Sequence, residues 1–395
     1  MKITCGQRIP SRIVFCNLGV PVGPFALQFA KALANEGMVI DFFWDISHPV
    51  PADIFAYETV QNCNIIFLDT KSPSDDERGA VAYISRAVDL VSNHLAGVDA
   101  ILVGIEKIGL SVASHVARRL KLPCCYWSLE LYDRESLWFR KNLCGEFWLK
   151  QEAAACKRVK AVIIQDEDRA LAFRGITGFG GKFVYFPVAI DKDNIRMRGG
   201  FFLHDFCGIH ERRKILLCYG HNRMPRPMIE ALEHSIPEPW TLVLHSYQMI
   251  GLDGMSNTEK LVISSSRVPE ANIPELIASA SAGLVHYNPV NHNNKLTAFS
   301  SEKIARYLNA GLPIITFGVE NIQKLFDEFS CGVMYSQPGQ LAAVLRMIEK
   351  NERSFAEQAV RAAAKYYLLE NVVEEVARFF LNECEVDALS LRERR

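Results

Sequence analysis

The chain has 395 residues, of which 49% are hydrophobic and 23% charged, with a formal net charge of −1 at pH 7. This length is enough for two domains with separate cores, and a charge near zero provides no positive field for nucleic acid, so nucleic-acid binding is not expected. The 11 cysteines form no CxxC pair and no metal-site spacing with histidine, so we interpret them as reduced core residues.

Residues 1–10 lack the apolar stretch of a secretion signal, and nowhere is there an apolar run long enough to span a bilayer. The expected location is therefore the cytoplasm.

The first half of the chain alternates short apolar runs with helical patterns. This alternation predicts a parallel sheet that is covered by helices on both faces. The predicted strands are 13–16, 39–44, 65–68, 100–103, 124–127, 161–164 and 183–186.

A second series of the same kind follows, and it predicts a second α/β domain. Its strands are expected at 215–218, 241–244, 261–263, 283–285, 313–316 and 332–334, with helices at about 352–367 and 370–383.

Residues 191–213 separate the two series, because they contain Gly199 and Gly200, several charges and no sustained period. We therefore predict domains at 1–190 and 214–367, a connection at 191–213 and a C-terminal helix and tail at 368–395. Ligands of such sheets bind at the carboxyl ends of the strands, and two facing domains would form a cleft between those ends.

The turn after the first predicted strand contains Gly19 and Gly23, which would let a ligand approach the backbone closely. The spacing is not that of a dinucleotide-binding GxGxxG motif, and Pro21 and Pro24 remove two N–H donors. A tight turn without a ligand is the alternative interpretation.

Glu130 follows a predicted strand and lies among aromatic residues. A carboxylate at this position could orient a sugar hydroxyl or take part in proton transfer. The alternative is a structural ion pair with Arg134 or Arg140. Farther along, 137–141 and 147–150 mix aromatic residues with cations, which is typical either of weak peripheral membrane contact or of a helix packed into its own domain.

The second domain opens with a strand, a turn at Gly220 and a helix, and Arg223 and Arg226 lie in this region. Guanidinium groups bind phosphate oxygens through paired hydrogen bonds. Exposed loop cations without a ligand are the alternative.

The most informative stretch is 300–315. Ser300 and Ser301 begin an amphipathic helix, Lys303 lies in its first turn, and Gly311 with Pro313 ends it. A lysine in a first turn opposes the helix dipole unless an anion is bound there, so the pattern favours a phosphate site. An ordinary capped surface helix is the alternative.

These residues resemble the retaining GT-B glycosyltransferases of family 4. The resemblance is strongest over 268–334, where 303–315 is similar to the family's KLxEYLAAGLPVV segment. Weaker similarities lie at 127–132, at 186–191 and at the Gly220 turn.

The resemblance implies an α/β GT-B fold, with two Rossmann-like domains facing across a cleft. It also implies a hexosyltransferase that takes a sugar from a nucleotide diphosphate sugar, with retention, for glycan, glycolipid or glycoconjugate biosynthesis. The acceptor would bind to the N-terminal domain near the candidate catalytic Glu130, and neither a cofactor nor a metal is expected. The expected donor-binding residues are Gly220, Arg223, Arg226, Ser300, Ser301, Glu302 and Lys303.

The sequence also departs from the family pattern. Ala298 and Arg306 stand where the family has paired glutamates, and Leu129 stands where it has histidine. We hypothesise that Glu302 replaces the carboxylate missing at 306. Two alternatives stay open: a catalytically silent GT-B subunit that binds a partner enzyme or a glycan, and a nucleotide-sugar epimerase.

Overall fold

The computed structural model describes residues 12–19, 24–46, 60–70, 76–136, 144–220, 224–246, 252 and 254–392, with side chains up to 382. The chain divides into two units. One consists of Met1–Pro187 and Val372–Arg395, and the other of Val188–Asn371.

The first unit contains a 7-stranded sheet in the order β3-β2-β1-β4-β5-β6-β7, and its strand pairs are parallel. The inner strands are buried along their length, because helices cover both faces of the sheet. The strands are β1 Ile13–Asn17, β2 Ile40–Asp45, β3 Cys63–Leu68, β4 Ile101–Ile105, β5 Cys124–Trp127, β6 Ala161–Ile164 and β7 Lys182–Tyr185.

The helices of this unit start and end at recognisable local signals. Asp76 caps one helix by accepting a hydrogen bond from the Gly79 N–H at 2.6 Å, and Gly178 ends another in the left-handed conformation. The helices are α1 Pro24–Asn35, α2 Glu77–His94, α3 Glu106–Leu120, α4 Gly145–Cys156, α5 Glu167–Thr177 and, from Val372 onward, the C-terminal helix.

The second unit contains a 6-stranded sheet in the order β10-β9-β8-β11-β12-β13, again with parallel pairs. Its strands are β8 Lys214–Tyr219, β9 Trp240–His245, β10 Leu261–Ser264, β11 Ala282–His286, β12 Ile314–Phe317 and β13 Gly332–Met334. Its helices are α6 Phe202–Cys207, α7 Arg226–Ser235, α8 Ile273–Ala278, α9 His292–Lys295, α10 Glu302–Asn309, α11 Gln323–Phe329, α12 Leu341–Lys350 and α13 Glu352–Tyr366. The C-terminal helix α14 is Leu369–Arg392.

The predicted connection 191–213 is structured and belongs to the second unit. It contains a 3-10 helix, Lys192–Asn194, and α6, whose Leu203 side chain is part of the core of that unit. Burial of this apolar side chain explains why the segment packs as part of the domain.

Every predicted strand is present, and each of its ends lies within two residues of the observed end. The two parallel sheets confirm the predicted pair of Rossmann-like α/β domains. No helix within the described residues is long and apolar enough to cross a membrane.

Candidate functional site

The order in which strands are added to the second sheet reverses between β8 and β11. From β8 the sheet continues on one side to β9 and β10, and on the other side from β11 to β12 and β13. Strands β8 and β11 pair only through Ala282 with Leu216 and Gly283 with Leu217. The two strands therefore separate beyond Leu217, and such a switch point is where parallel α/β sheets bind ligands.

Helix α10 is anchored at this switch point by Tyr307. The Tyr307 hydroxyl donates to the Leu217 carbonyl at 2.8 Å and accepts from the Tyr219 N–H at 2.9 Å. Gly283 makes room for the ring, since a Cβ atom there would lie 2.2 Å from Tyr307 Cδ2. The hydroxyl thus satisfies two backbone groups near the point where the strands separate, and it fixes the position of α10.

Ser301 is the N-cap of α10, as the sequence predicted for the start of this helix. Its Oγ accepts from the Ile304 N–H at 3.4 Å and hydrogen bonds with the Tyr287 hydroxyl at 3.0 Å. Because Ser301 is buried, its hydroxyl serves the helix itself in this structure. Ser300, the preceding residue, is half-buried.

Lys303 lies next to the turn that follows β8. A Cβ atom on Gly220, whose φ is +84°, would lie 3.9 Å from Lys303 Cε. Lys303 Nζ lies 5.2 Å from the centroid of the Tyr287 ring. Burial, with a smaller contribution from the charge of Lys303, lowers the pKa of His286 to about 4. The Gly220 turn and the first turn of α10, which are far apart in sequence, therefore meet at the switch point.

No carboxylate of the described residues forms an ion pair with Lys303. A half-buried cation at the start of a helix is favoured only when negative charge is present nearby. The electrostatics of this position therefore suit an anionic ligand.

Arg226, one of the two predicted arginines, has a partner on its own helix in the structure. Arg226 is the first residue of α7, and its Nε lies 2.7 Å from the Glu230 carboxylate on the next turn of the same helix. Arg223 lies outside the described residues. The placement of Arg226 is thus that of an exposed cation paired on its own helix.

Glu302 is held by a buried arginine. Arg306 is 7% exposed, and its NH2 lies 2.6 Å from the Glu302 carboxylate and 2.6 Å from that of Glu270. Burial alone would lower the pKa of Arg306, but the two carboxylates raise it. Glu302 is therefore an exposed carboxylate in a fixed orientation at the N-terminus of α10.

In the first unit, Glu130 is exposed after the end of β5. The ion pair with Arg134 that was the alternative for Glu130 is not formed, because Arg134 Nε instead lies 2.9 Å from the Glu146 carboxylate. Arg140 lies outside the described residues.

Packing within the first unit accounts for the glycine at position 19. Its φ is +80°, and a Cβ atom there would lie 2.5 Å from Ile108 Cδ1. The turn therefore needs glycine whether or not a ligand binds. Gly23 lies outside the described residues.

The aromatic and cationic stretch at 147–150 lies in α4, where Trp148 is buried. This burial favours the interpretation of a helix packed into its own domain. Residues 137–143 lie outside the described part of the chain.

The sequence analysis overlooked Glu106, the first residue of α3. Its Oε1 accepts hydrogen bonds from the N–H groups of Leu129, at 2.7 Å, and Glu130, at 3.0 Å. Burial raises the pKa of Glu106 to about 7, although Lys107 opposes the shift. A polar residue directly after an apolar strand is the signal that could have identified it.

No group of three or more His, Cys, Asp or Glu side chains in the described residues is arranged to hold a metal ion.

No protein-family model matches the chain, and no curated protein matches its sequence. Solved structures do match its fold. Sucrose-phosphate synthase (tll1590) from Thermosynechococcus elongatus has a TM-score of 0.73 at 14% identity, over 95% of this chain and 100% of that chain. Anabaena Alr3699/HepE, in complex with UDP and glucose, has a TM-score of 0.65 at 14% identity, over 93% and 98%.

WaaG, a glycosyltransferase involved in lipopolysaccharide biosynthesis, has a TM-score of 0.61 at 17% identity, over 93% of this chain and 99% of that chain. With two parallel sheets of seven and six strands and these neighbours, the chain has the GT-B fold.

Proposed function

We propose that this protein is a glycosyltransferase that takes a hexosyl group from a nucleotide diphosphate sugar. The observation that carries the proposal is the placement of Lys303 and the α10 N-terminus next to Gly220, at the switch point of the second sheet. HepE, a neighbour with the same fold, was solved with UDP and glucose. The location in the cytoplasm stays part of the proposal.

The donor diphosphate would bind between the Gly220 turn and the α10 N-terminus. Gly220 leaves its backbone open to close approach, and Lys303 supplies positive charge together with the helix N-terminus. Arg226 could turn from Glu230 toward the phosphates at small cost, because an exposed ion pair contributes little. Ser300 and Arg223 remain proposed donor-binding residues, while Ser301 would act by capping the helix.

This arrangement would stabilise the negative charge that grows on the nucleotide diphosphate as the sugar leaves. Helix and cation charge would serve this purpose without a metal ion. In the first unit, we propose that Glu130 orients the acceptor hydroxyl, and that transfer retains the anomeric configuration.

Lys303→Ala tests the diphosphate site directly. At a hundredfold excess over its dissociation constant, UDP or UDP-glucose should stabilise the wild-type protein by about 2.7 kcal/mol. We expect the variant to lose most of this shift, because a hydrogen bond to a charged group contributes roughly 1.5–3 kcal/mol. The matched control is Lys350→Ala, an exposed lysine in the same unit, which should leave the shift intact.

Equal thermal shifts in Lys303→Ala and the wild type would refute the site. Two measurements distinguish the two alternative functions: product analysis without an acceptor, and turnover with a panel of acceptors. An isomerised nucleotide sugar would identify an epimerase, and binding without turnover across an acceptor panel would identify a silent subunit.

We also propose that Glu302 contacts the donor ribose. An exposed carboxylate fixed by Arg306 is suited to accept hydrogen bonds from a pair of hydroxyls. We expect Glu302→Ala to raise the dissociation constant of UDP about tenfold, which corresponds to roughly 1.4 kcal/mol. Glu270→Ala, which removes the other partner of Arg306, is the control, and an unchanged constant in Glu302→Ala would count against this contact.

A further inference from the structure

The three-residue turn Ser128–Glu130 is held by side chains of the first unit. The Ser128 carbonyl accepts from Gln165 Nε2 at 2.8 Å, and the Leu129 carbonyl accepts from the Arg169 guanidinium at 2.7 Å. Oε1 of Glu106 accepts both the Leu129 and the Glu130 N–H groups.

The two remaining backbone groups of this turn also have partners. The Ser128 N–H donates to the Ile163 carbonyl at 3.0 Å, and the Ser128 hydroxyl donates to the Glu130 carbonyl at 3.4 Å. Every backbone polar group of the turn is thus satisfied inside the unit, although the Glu130 side chain is exposed. A turn held in this way fixes the backbone from which the exposed Glu130 side chain extends.

Glu106 reaches the turn through a sharp junction between β4 and α3. The strand ends at Ile105 and the helix begins at Glu106 with no residue between them, and the φ of Glu106 is +56°. Only a few per cent of residues other than glycine adopt a positive φ, and such positions cluster at functional sites.

Two glycines allow this junction. A Cβ atom on Gly104 would lie 2.3 Å from Leu110 Cα, and one on Gly109 would lie 2.1 Å from the Cys16 carbonyl oxygen. The absence of a side chain at these two positions therefore lets the start of α3 pack directly against β4 and β1.

The surroundings of Glu106 are charged and buried. Glu106 is 4% exposed and Arg169 is 0% exposed. Lys107 Nζ lies 3.6 Å from the buried Glu152 carboxylate. Buried ion pairs are often no more stabilising than apolar residues of the same size, so this network is weak evidence for a stabilising role.

We propose that Glu106 is a positioning residue that holds the Ser128–Glu130 turn and so fixes the exposed Glu130 carboxylate. This inference rests on the proposed function, in which Glu130 orients the acceptor hydroxyl. Glu106 itself does not touch the acceptor. It acts through the two N–H groups that it accepts.

Hydrogen exchange at the Leu129 and Glu130 amides tests the contact without any ligand. Glu106→Gln keeps a carbonyl oxygen in place and should preserve slow exchange. Glu106→Leu removes the acceptor and should speed exchange at these two amides roughly tenfold or more. Exchange that is equally slow in Glu106→Leu would overturn the proposal.

Glu106→Asp gives the same information if the leucine variant does not fold, because it retracts the carboxylate by one methylene. Equally slow exchange in Glu106→Asp would then overturn the proposal. Glu146→Gln, at an exposed position of α4, is the control and should not change exchange at the turn.

A double-mutant cycle with Glu106→Asp and Glu130→Gln tests whether Glu106 acts through Glu130. The readout is the initial rate of UDP release from UDP-glucose with a panel of acceptors. Glu106→Asp should slow release in the wild-type background and have little further effect in the Glu130→Gln background. An equal fold-loss in both backgrounds would show a merely structural role and would overturn the proposal.

Failure of the proposed function looks different. In that case UDP would neither bind nor be released by the wild-type protein, whereas the exchange measurement would still decide whether Glu106 holds the turn.

Discussion

The two units share a sheet order but use the carboxyl ends of their strands in opposite ways. In the second unit, Lys303 lies at the switch point with no ion pair among the described residues. In the first unit, the buried side chains of Glu106 and Arg169 form hydrogen bonds with the backbone of the Ser128–Glu130 turn. The comparison indicates two uses for charged helix residues at the carboxyl edge of a Rossmann-like sheet. They can stay available for a small anion, or they can hold a loop in position.

The largest expected effects come from glycines that permit close packing in each unit. Gly109→Ala and Gly283→Ala would each place a methyl group within 2.3 Å of neighbouring atoms. We expect each to lower the free energy of unfolding by roughly 3 kcal/mol. Only Gly283→Ala should also weaken UDP binding, because it displaces Tyr307 and with it α10.

Urea unfolding and UDP titration of both variants check this prediction. Gly339→Ala, where a Cβ atom meets nothing within 4 Å, is the control. Equal loss of UDP affinity in Gly109→Ala and Gly283→Ala would remove the distinction between the two units.

The pH dependence of stability should reveal the buried carboxyl of the first unit. The pKa of Glu106 is raised from 4.5 to about 7 in the folded chain. Below pH 4.5 the group is protonated in both states, whereas above pH 7 it is ionised in both and burial penalises the folded state. The contribution of Glu106 to the free energy of unfolding should therefore fall by about 3 kcal/mol between these values.

Glu106→Gln removes this dependence because glutamine does not ionise. The free energy of unfolding of the variant, relative to the wild type, should rise by the same amount between pH 4.5 and pH 8. Chemical denaturation at both values measures it, and parallel profiles would contradict the prediction.

Tyr307→Phe should have a smaller effect, restricted to the second unit. It removes one hydroxyl and leaves the Leu217 carbonyl and the Tyr219 N–H without that partner. We expect a loss of about 1–3 kcal/mol in the free energy of unfolding, together with weaker UDP binding. Tyr83→Phe, at a buried hydroxyl bonded to Asp45 in the first unit, is the control for UDP binding. Unchanged UDP affinity in Tyr307→Phe would show that α10 is positioned by other contacts.

Strand positions could be predicted from the sequence because they depend on local apolar patterning. The runs at 161–164 and 332–334 coincide with β6 and β13 residue for residue. The start of α10 was also predictable, since Ser301 carries its own capping signal.

The partners of charged side chains could not be predicted in the same way. Arg226 pairs with Glu230 on its own helix, and Arg306 is buried between Glu302 and Glu270. An ion pair depends on side-chain distances of a few ångströms, which strand spacing does not specify.

The sequence by itself determined two parallel α/β sheets and the helix start at Ser301, because apolar periodicity and capping act over a few residues. Only the tertiary structure decided that Glu106 binds the turn before Leu131 and that Tyr307 fills the gap between β8 and β11. These contacts join residues at least 23 positions apart. Their partners are chosen by packing geometry, which no local pattern encodes.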